Sequence, residues 1–225
     1  MKPAPFEYYA PLELQEALDL LERYGDEAKI LAGGQSLMPL INLRLARPRV
    51  IIDINRLCNL DLISTAPDGG LTIGALARQR SVERSTIIQE QNPMLGAAMP
   101  LIGHFQIRNR GTIGGSLVHA DPAAELPAVS LLLDGEFLLS SKSGARPVAA
   151  ADFFLGYLAT DCRPGELLTE IRFPKWRAGA AWAVVEIARR KGDFALVGVV
   201  LGAEFYGADT LQNARIVMFG VGGKP

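Results

Sequence analysis

The chain has 225 residues, 49% apolar and 21% charged, with a formal net charge of −1. That balance belongs to an ordinary globular protein able to bury one large core or two small ones, and it excludes the strongly basic face of a broad nucleic-acid footprint. No apolar run reaches the length of a membrane span and "MKPAPFEYYAP" lacks a secretory apolar segment, so a cytoplasmic location is expected.

Leu14, Ala17, Leu18 and Leu21 follow the i, i+3, i+4, i+7 spacing of an amphipathic helix, which Gly25 stops. "AKILAGG" predicts a short buried strand entering a glycine turn at Gly33 and Gly34. "LMPLINLRL" predicts a helix whose Pro39 sits in the first turn, where no backbone bond is lost. "RVIIDI" predicts a second strand, giving a compact β-α-β-like unit over the first fifty-odd residues. Next come a strand at "GLTIGAL" and a small-residue helix at "PMLGAAMPLIGHF". In "ADPAAELPAVSLLLDG", Asp121 is placed as an N-cap, Pro122 at the first helical position and Gly135 beyond the end. "EFLLSS" and "GELLTEIRFP" predict strands. The texture changes near residues 174–180, after which "AWAVVEIA", "ALVGVVLGAEF" and "NARIVMFGVGG" predict a three-stranded antiparallel meander.

Two segments, "LAGGQSLMPL" and "TIGGSLVHADP", each read as a Gly-Gly loop, a hydroxyl residue and a segment able to start a helix. Adjacent glycines admit positive φ and let a ligand approach the backbone, while a helix start leaves unpaired N–H groups for phosphate. Ser36, Thr112 and Ser116 add hydroxyls. On this evidence the loops are either two ordinary tight turns or two halves of one dinucleotide site. No G-x-G-x-x-G follows the first strand, and "GVGGKP" has Lys224 before proline where a P-loop needs Ser or Thr. Cys58 and Cys162 cannot supply the ligands of an iron–sulfur cluster, and His104 and His119 lack a metal-site spacing. Electron chemistry here needs an organic cofactor or a partner.

"AGGQSLMPLINLRLARP", "IRNRGTIGGSLVHADPAAELP" and "ARRKGDFALVGV" resemble, colinearly along the chain, the FAD-binding medium subunit of the xanthine dehydrogenase / carbon monoxide dehydrogenase family of molybdenum hydroxylases. The resemblance implies an α+β, two-lobed FAD-binding fold of the vanillyl-alcohol oxidase/PCMH type over residues 1–175, with lobes at about 1–56 and 57–175. Residues 176–225 would begin a C-terminal antiparallel-sheet domain. Ala32, Gly33, Gly34, Gln35, Ser36 and Leu37 would form the first half of the FAD cradle; Thr112, Gly114, Gly115 and Ser116 would form the second. Ile102 and Leu168 would touch the cofactor through their backbones, and Glu125 would accept a ribityl or ribose hydroxyl, its alternative being a first-turn glutamate favoured by the helix dipole. Lys191 and Phe194 would lie beside the flavin ring, unless they belong to a surface turn with Gly192 and Asp193 at its tip. Asp121 is read mainly as a helix cap, with a direct FAD contact also open. No role attaches to Gln79.

The implied function is electron transfer: FAD here, with the molybdenum cofactor and [2Fe–2S] clusters only in a large and a small partner subunit, as a dimer of heterotrimers serving an external acceptor. A self-contained FAD-dependent oxidoreductase and a nucleotide-binding module without redox function are the rival readings. Relatives usually continue past the meander with a helical stretch, so truncation at Pro225 is expected to leave closure over the isoalloxazine incomplete.

Overall fold

The computed structural model describes residues 2–176, 179–206 and 210–224; residues 177 and 178 of the expected boundary lie outside the described residues. The chain opens with β1 (Glu7–Tyr9), α1 (Leu14–Tyr24), β2 (Ala28–Leu31), α2 (Leu37–Asn42) and β3 (Val50–Asp53). These strands form a parallel sheet in the order β1-β3-β2. As the central strand, β3 buries Val50, Ile51 and Ile52, the continuous apolar run a doubly covered parallel strand requires. Helix α1 packs Ala17, Leu18 and Leu21 onto it in a core shared with Leu57, Leu76 and Leu167. The β-α-β reading of this region is correct; β1 completes the sheet.

Next follow β4 (Ile63–Thr65), β5 (Leu71–Gly74), α3 (Gln79–Arg84), α4 (Thr86–Gln91), α5 (Pro93–Ala98) and α6 (Phe105–Arg108). The long helix expected at 93–105 is interrupted: a 3₁₀ turn at Met99–Leu101 carries Pro100, which has no N–H to continue the ladder. Then come α7 (Ile113–His119), α8 (Glu125–Leu132), β6 (Glu136–Ser141), β7 (Gly144–Ala149), α9 (Ala150–Phe153), β8 (Phe154–Gly156), β9 (Ala159–Thr160) and β10 (Leu167–Phe173). Strands β4-β5-β10-β6-β7 make an antiparallel sheet. Its core centres on Phe137, Phe153 and Phe154, whose rings meet edge to face at 4.7–5.9 Å.

The predicted cap of α8 is a correction. The helix begins at Glu125 with Ala124 at the cap, and Asp121 Oδ1 instead accepts from Ala123 N at 2.9 Å in a turn before it. Pro122 is outside the helix because its carbonyl accepts from Gly220 N at 2.8 Å.

Strands β11 (Ala181–Ala188), β12 (Ala195–Tyr206) and β13 (Thr210–Phe219) form the expected antiparallel meander. Its inner face places Trp182, Val184, Glu186, Val200 and Phe219 against the larger core. Arg215 of β13 grips Asp134 and the Leu131 carbonyl at the end of α8. The outer face sets Ala183-Leu201-Ile216 beside Val185-Val199-Met218. This row is apolar yet uncovered, Val185 being 61% and Ile216 62% exposed, a pattern that drives association. Replacing Val185→Glu together with Ile216→Lys is therefore expected to lower self-association of the 225-residue chain in light scattering. The thermal midpoint should move by less than about 2 °C, since exposed sites contribute little to stability. Equal or greater association in the variant would show that the face is not responsible.

Candidate functional site

The two glycine segments come together at one end of the small parallel sheet. A Cβ added to the buried Gly33 would lie 2.5 Å from the Arg110 carbonyl oxygen and 2.7 Å from Gly111 Cα, so the loops touch backbone to backbone. Gly34 has φ +73°, which turns the chain from β2 into α2.

The loops contribute differently. In the second, Gly114 and Gly115 lie inside the first turn of α7, not in a loop ahead of it as the sequence reading had it. Gly114 is glycine for packing: its Cβ would sit 2.6 Å from Ala75 Cβ. Thr112 is buried, and its hydroxyl oxygen caps α7 by accepting from Gly115 N at 3.0 Å. The N–H groups of Gly111, Ile113, Gly114 and Ser116 bond to Ile107, Ala77, Ala75 and Thr112 carbonyls. In the first loop the N–H groups of Gly33, Gly34, Gln35, Ser36 and Leu37 have no hydrogen-bond partner among the described residues. Unpaired donors in series around a glycine turn make an anion-binding concavity. Helices α2 and α7 are only six and seven residues long, so the loop amides carry the site.

The remaining predicted residues divide by position. Gln35 Nε2 donates to the Gly33 carbonyl at 3.1 Å, tightening the turn, while Ser36 is exposed and Ser116 half-buried near the contact. Ile102 uses its N–H on the Met99 carbonyl, and its own carbonyl accepts from Arg108 Nη1 at 2.8 Å. Leu168 is buried on β10 beside a bulge. Lys191 and Phe194 lie in the exposed turn between β11 and β12, Phe194 being 62% exposed. Gly192 in that turn rests on the His104 ring, which leaves no room for a Cβ.

Glu125 is 5% exposed at the start of α8. Burial, with the Glu186 charge adding to it, pushes its carboxyl up to about 7. Burial likewise raises Glu186, whose Oε2 is enclosed without a partner. Two carboxyls from different elements thus share a low-dielectric site and hold a proton near neutrality. Sequence reasoning missed Glu186 because nothing local pairs β11 with α8; its lone charge among the inward residues of an apolar strand was the available signal. Burial also lowers His119, opposed by the Asp121 charge.

Asn55 and Arg78 were also missed. Asn55 Nδ2 donates to the Ala32 carbonyl at 2.8 Å and its Oδ1 accepts from Arg78 Nη2 at 2.6 Å. Arg78 Nη1 donates to the Arg110 carbonyl at 2.6 Å. Asp53 anchors Asn55 and accepts from the Tyr8 hydroxyl. Burial opposes ionisation of Asp53, but these donors outweigh it and hold its carboxyl below the usual range. A shallow depression between Leu131, Ala150 and Arg215 lies elsewhere.

A glycine-bounded row of free amides at the end of a parallel sheet, within an α+β fold, is a geometry that suits an anion such as a pyrophosphate. Residues 4–176 match the family described as the FAD binding domain in molybdopterin dehydrogenase, and the chain belongs to that family. It is 41% identical to the caffeine dehydrogenase subunit beta of Pseudomonas sp. (strain CBB1), with all of this chain and 76% of that one aligned. It is 39% identical to the medium chain of carbon monoxide dehydrogenase from Hydrogenophaga pseudoflava, over 98% of this chain and 76% of that one. A solved structure of the Hydrogenophaga pseudoflava enzyme superposes with a TM-score of 0.96, covering all of this chain and 77% of that one. Quinoline 2-oxidoreductase from Pseudomonas putida 86 gives 0.94 at 36% identity, with 77% of its chain covered. The fold is therefore the PCMH-type FAD-binding fold, and the protein is an FAD-binding oxidoreductase subunit of the molybdenum hydroxylase type. No helix among the described residues is long and apolar enough to cross a membrane.

Proposed function

We propose that this chain is the electron-transfer subunit of a cytoplasmic molybdenum hydroxylase complex. It receives electrons from [2Fe–2S] clusters of a small partner subunit, beside a large molybdenum subunit, in a dimer of heterotrimers, and passes them to an external acceptor. The observation carrying this reading is the series of free amides at Gly33–Leu37 against Arg110–Gly111, which fits a pyrophosphate. Ala32 to Leu37 would hold the pyrophosphate. Thr112, Gly114, Gly115 and Ser116 would line the opposite wall. Ile102, Asp121, Glu125, Leu168, Lys191 and Phe194 would complete the site. FAD, when bound, supplies reversible two-electron chemistry that no side chain offers. Residues 1–175 are the FAD-binding domain, with lobes at about 1–56 and 57–175, and 176–225 belong to a C-terminal flavoprotein domain. The separate hydrogen bonding of the first sheet and of the meander supports that division, although the apolar cores run across it: Val200 and Phe219 join the larger core, and Leu57, Leu76 and Leu167 the smaller.

The purified chain is expected to carry, or take up from added FAD, one equivalent of flavin with its two visible absorption bands. Protein that stays colourless after incubation with FAD sinks the reading. The proton-holding pair Glu125–Glu186 favours the rival, a self-contained FAD-dependent oxidoreductase. Turnover of a small reductant substrate by the chain alone would establish that rival.

A further inference from the structure

At Gly33 the contact between the two loops is glycine against the backbone of Arg110 and Gly111. What spans it is a hydrogen-bonded chain: Ala32 carbonyl, Asn55 amide, Arg78 guanidinium, Arg110 carbonyl, with links of 2.8, 2.6 and 2.6 Å. Both anchored carbonyls immediately precede the critical glycines, Gly33 and Gly111. In a trans peptide the C=O and the following N–H point in opposite directions. Holding the Ala32 carbonyl on Asn55 therefore aims the Gly33 N–H away from the brace. The Gly33 carbonyl, held by Gln35, likewise orients the Gly34 N–H.

Asn55 is itself fixed, since its backbone N–H and its amide both donate to Asp53 Oδ1, at 2.9 and 2.6 Å. Tyr8 donates to the other oxygen of Asp53 at 2.6 Å. The brace thus reaches back to β1, two strands away from the loops it governs. Arg78 uses separate nitrogens for its two contacts, a geometry that a planar fork provides and a lysine ammonium on a flexible stem does not.

We propose that Asn55 and Arg78 are positioning residues, a brace that orients the unpaired amides of residues 33–37 and fixes the two loops at pyrophosphate-binding spacing before the ligand arrives. This rests on the FAD reading of the site. Its consequence is that Arg78 acts by bridging and not by its charge.

The test titrates the flavin-free full chain with FAD and with ADP, which shares the pyrophosphate. The variants are Arg78→Lys, Arg78→Ala, Asn55→Asp, Asn55→Ala and the double alanine variant, with thermal melting of each. Arg78→Lys is expected to lose as much affinity as Arg78→Ala, about 10- to 100-fold for both ligands, because it keeps the charge and loses the fork. Asn55→Asp should lose similarly, having no N–H₂ for Ala32. The double variant should be no worse than the poorer single one, since either change breaks the same chain. Near-wild-type affinity in Arg78→Lys alongside a weak Arg78→Ala would overturn the brace in favour of simple charge attraction. Unchanged affinity in both Asn55 variants, or losses that multiply in the double variant, would overturn it as well. Wild-type protein that binds neither FAD nor ADP refutes the underlying reading instead.

Discussion

Gly33→Ala will cost this chain about 10- to 100-fold in FAD affinity, a larger effect than any other single methyl added to the two loops. The new Cβ would stand 2.5 Å from the Arg110 carbonyl oxygen and 2.7 Å from Gly111 Cα. Both are backbone atoms, so no rotamer change relieves the overlap. The loops must part by roughly 1 Å to restore ordinary contact, which destabilises by about 1–3 kcal/mol in the manner of an overpacked core. Parting them also pulls on the Ala32 and Arg110 carbonyls that Asn55 and Arg78 hold. Gly34→Ala differs. It strains a positive φ, but its Cβ meets only the Leu31 and Met38 side chains at 3.1 and 3.2 Å, and these can shift. Gly114→Ala drives a methyl into Ala75, so its damage should appear in folding more than in flavin affinity. Flavin titration and thermal melting of the three variants separate these outcomes. A Gly33→Ala protein that binds FAD as the wild type does would show that the loop contact is not part of the site.

The sequence disclosed most elements whose signal is local. The period of α1, the glycine after β2, the alternating meander and the apolar run of β3 each follow from side chains within one segment. What it concealed depends on partners distant in the chain. Asp121-Pro122 has the local chemistry of a helix start, yet Gly220, about a hundred residues on, takes the Pro122 carbonyl first. A local clue was nonetheless present in Pro127. Lacking an N–H, it belongs in a first turn, which moves the start of α8 to the vicinity of residue 125. The second Gly-Gly pair lies in the first turn of α7 and not in a loop ahead of it. Glycine serves close packing as readily as ligand approach, and the packing requirement at Gly114 comes from Ala75, distant in the chain. The loops themselves were legible as a pair. Their difference, one with free amides and one with its amides already bonded, was not.

Glu125→Gln is expected to raise the stability of the flavin-free chain at pH 8 by about 2–3 kcal/mol, a shift of about 5–10 °C in thermal midpoint, and to leave it nearly unchanged at pH 4. Glu125 is enclosed at the junction of α8 and β11, facing Glu186, with Asp121 near enough to add to the repulsion. Neither glutamate forms an ion pair with a cation among the described residues. Its carboxyl therefore titrates at about 7 in the folded chain, against 4.5 for the unfolded reference. Between those values the folded state binds more protons than the unfolded state, so stability falls as pH rises. The contribution is complete below pH 4.5, diminishes through the window and is gone above about 7. A glutamine is neutral throughout and can donate its N–H₂ to an ionised Glu186, so the variant gains where the wild type has lost. At pH 4 both the folded and the unfolded wild type hold the Glu125 proton, and the substitution changes little. Melting curves at half-unit intervals, read as the difference between variant and wild type, isolate this pair from the general acid response of other carboxylates. A difference independent of pH would mean that the two carboxyls do not share a proton, and that Glu125 acts through packing alone.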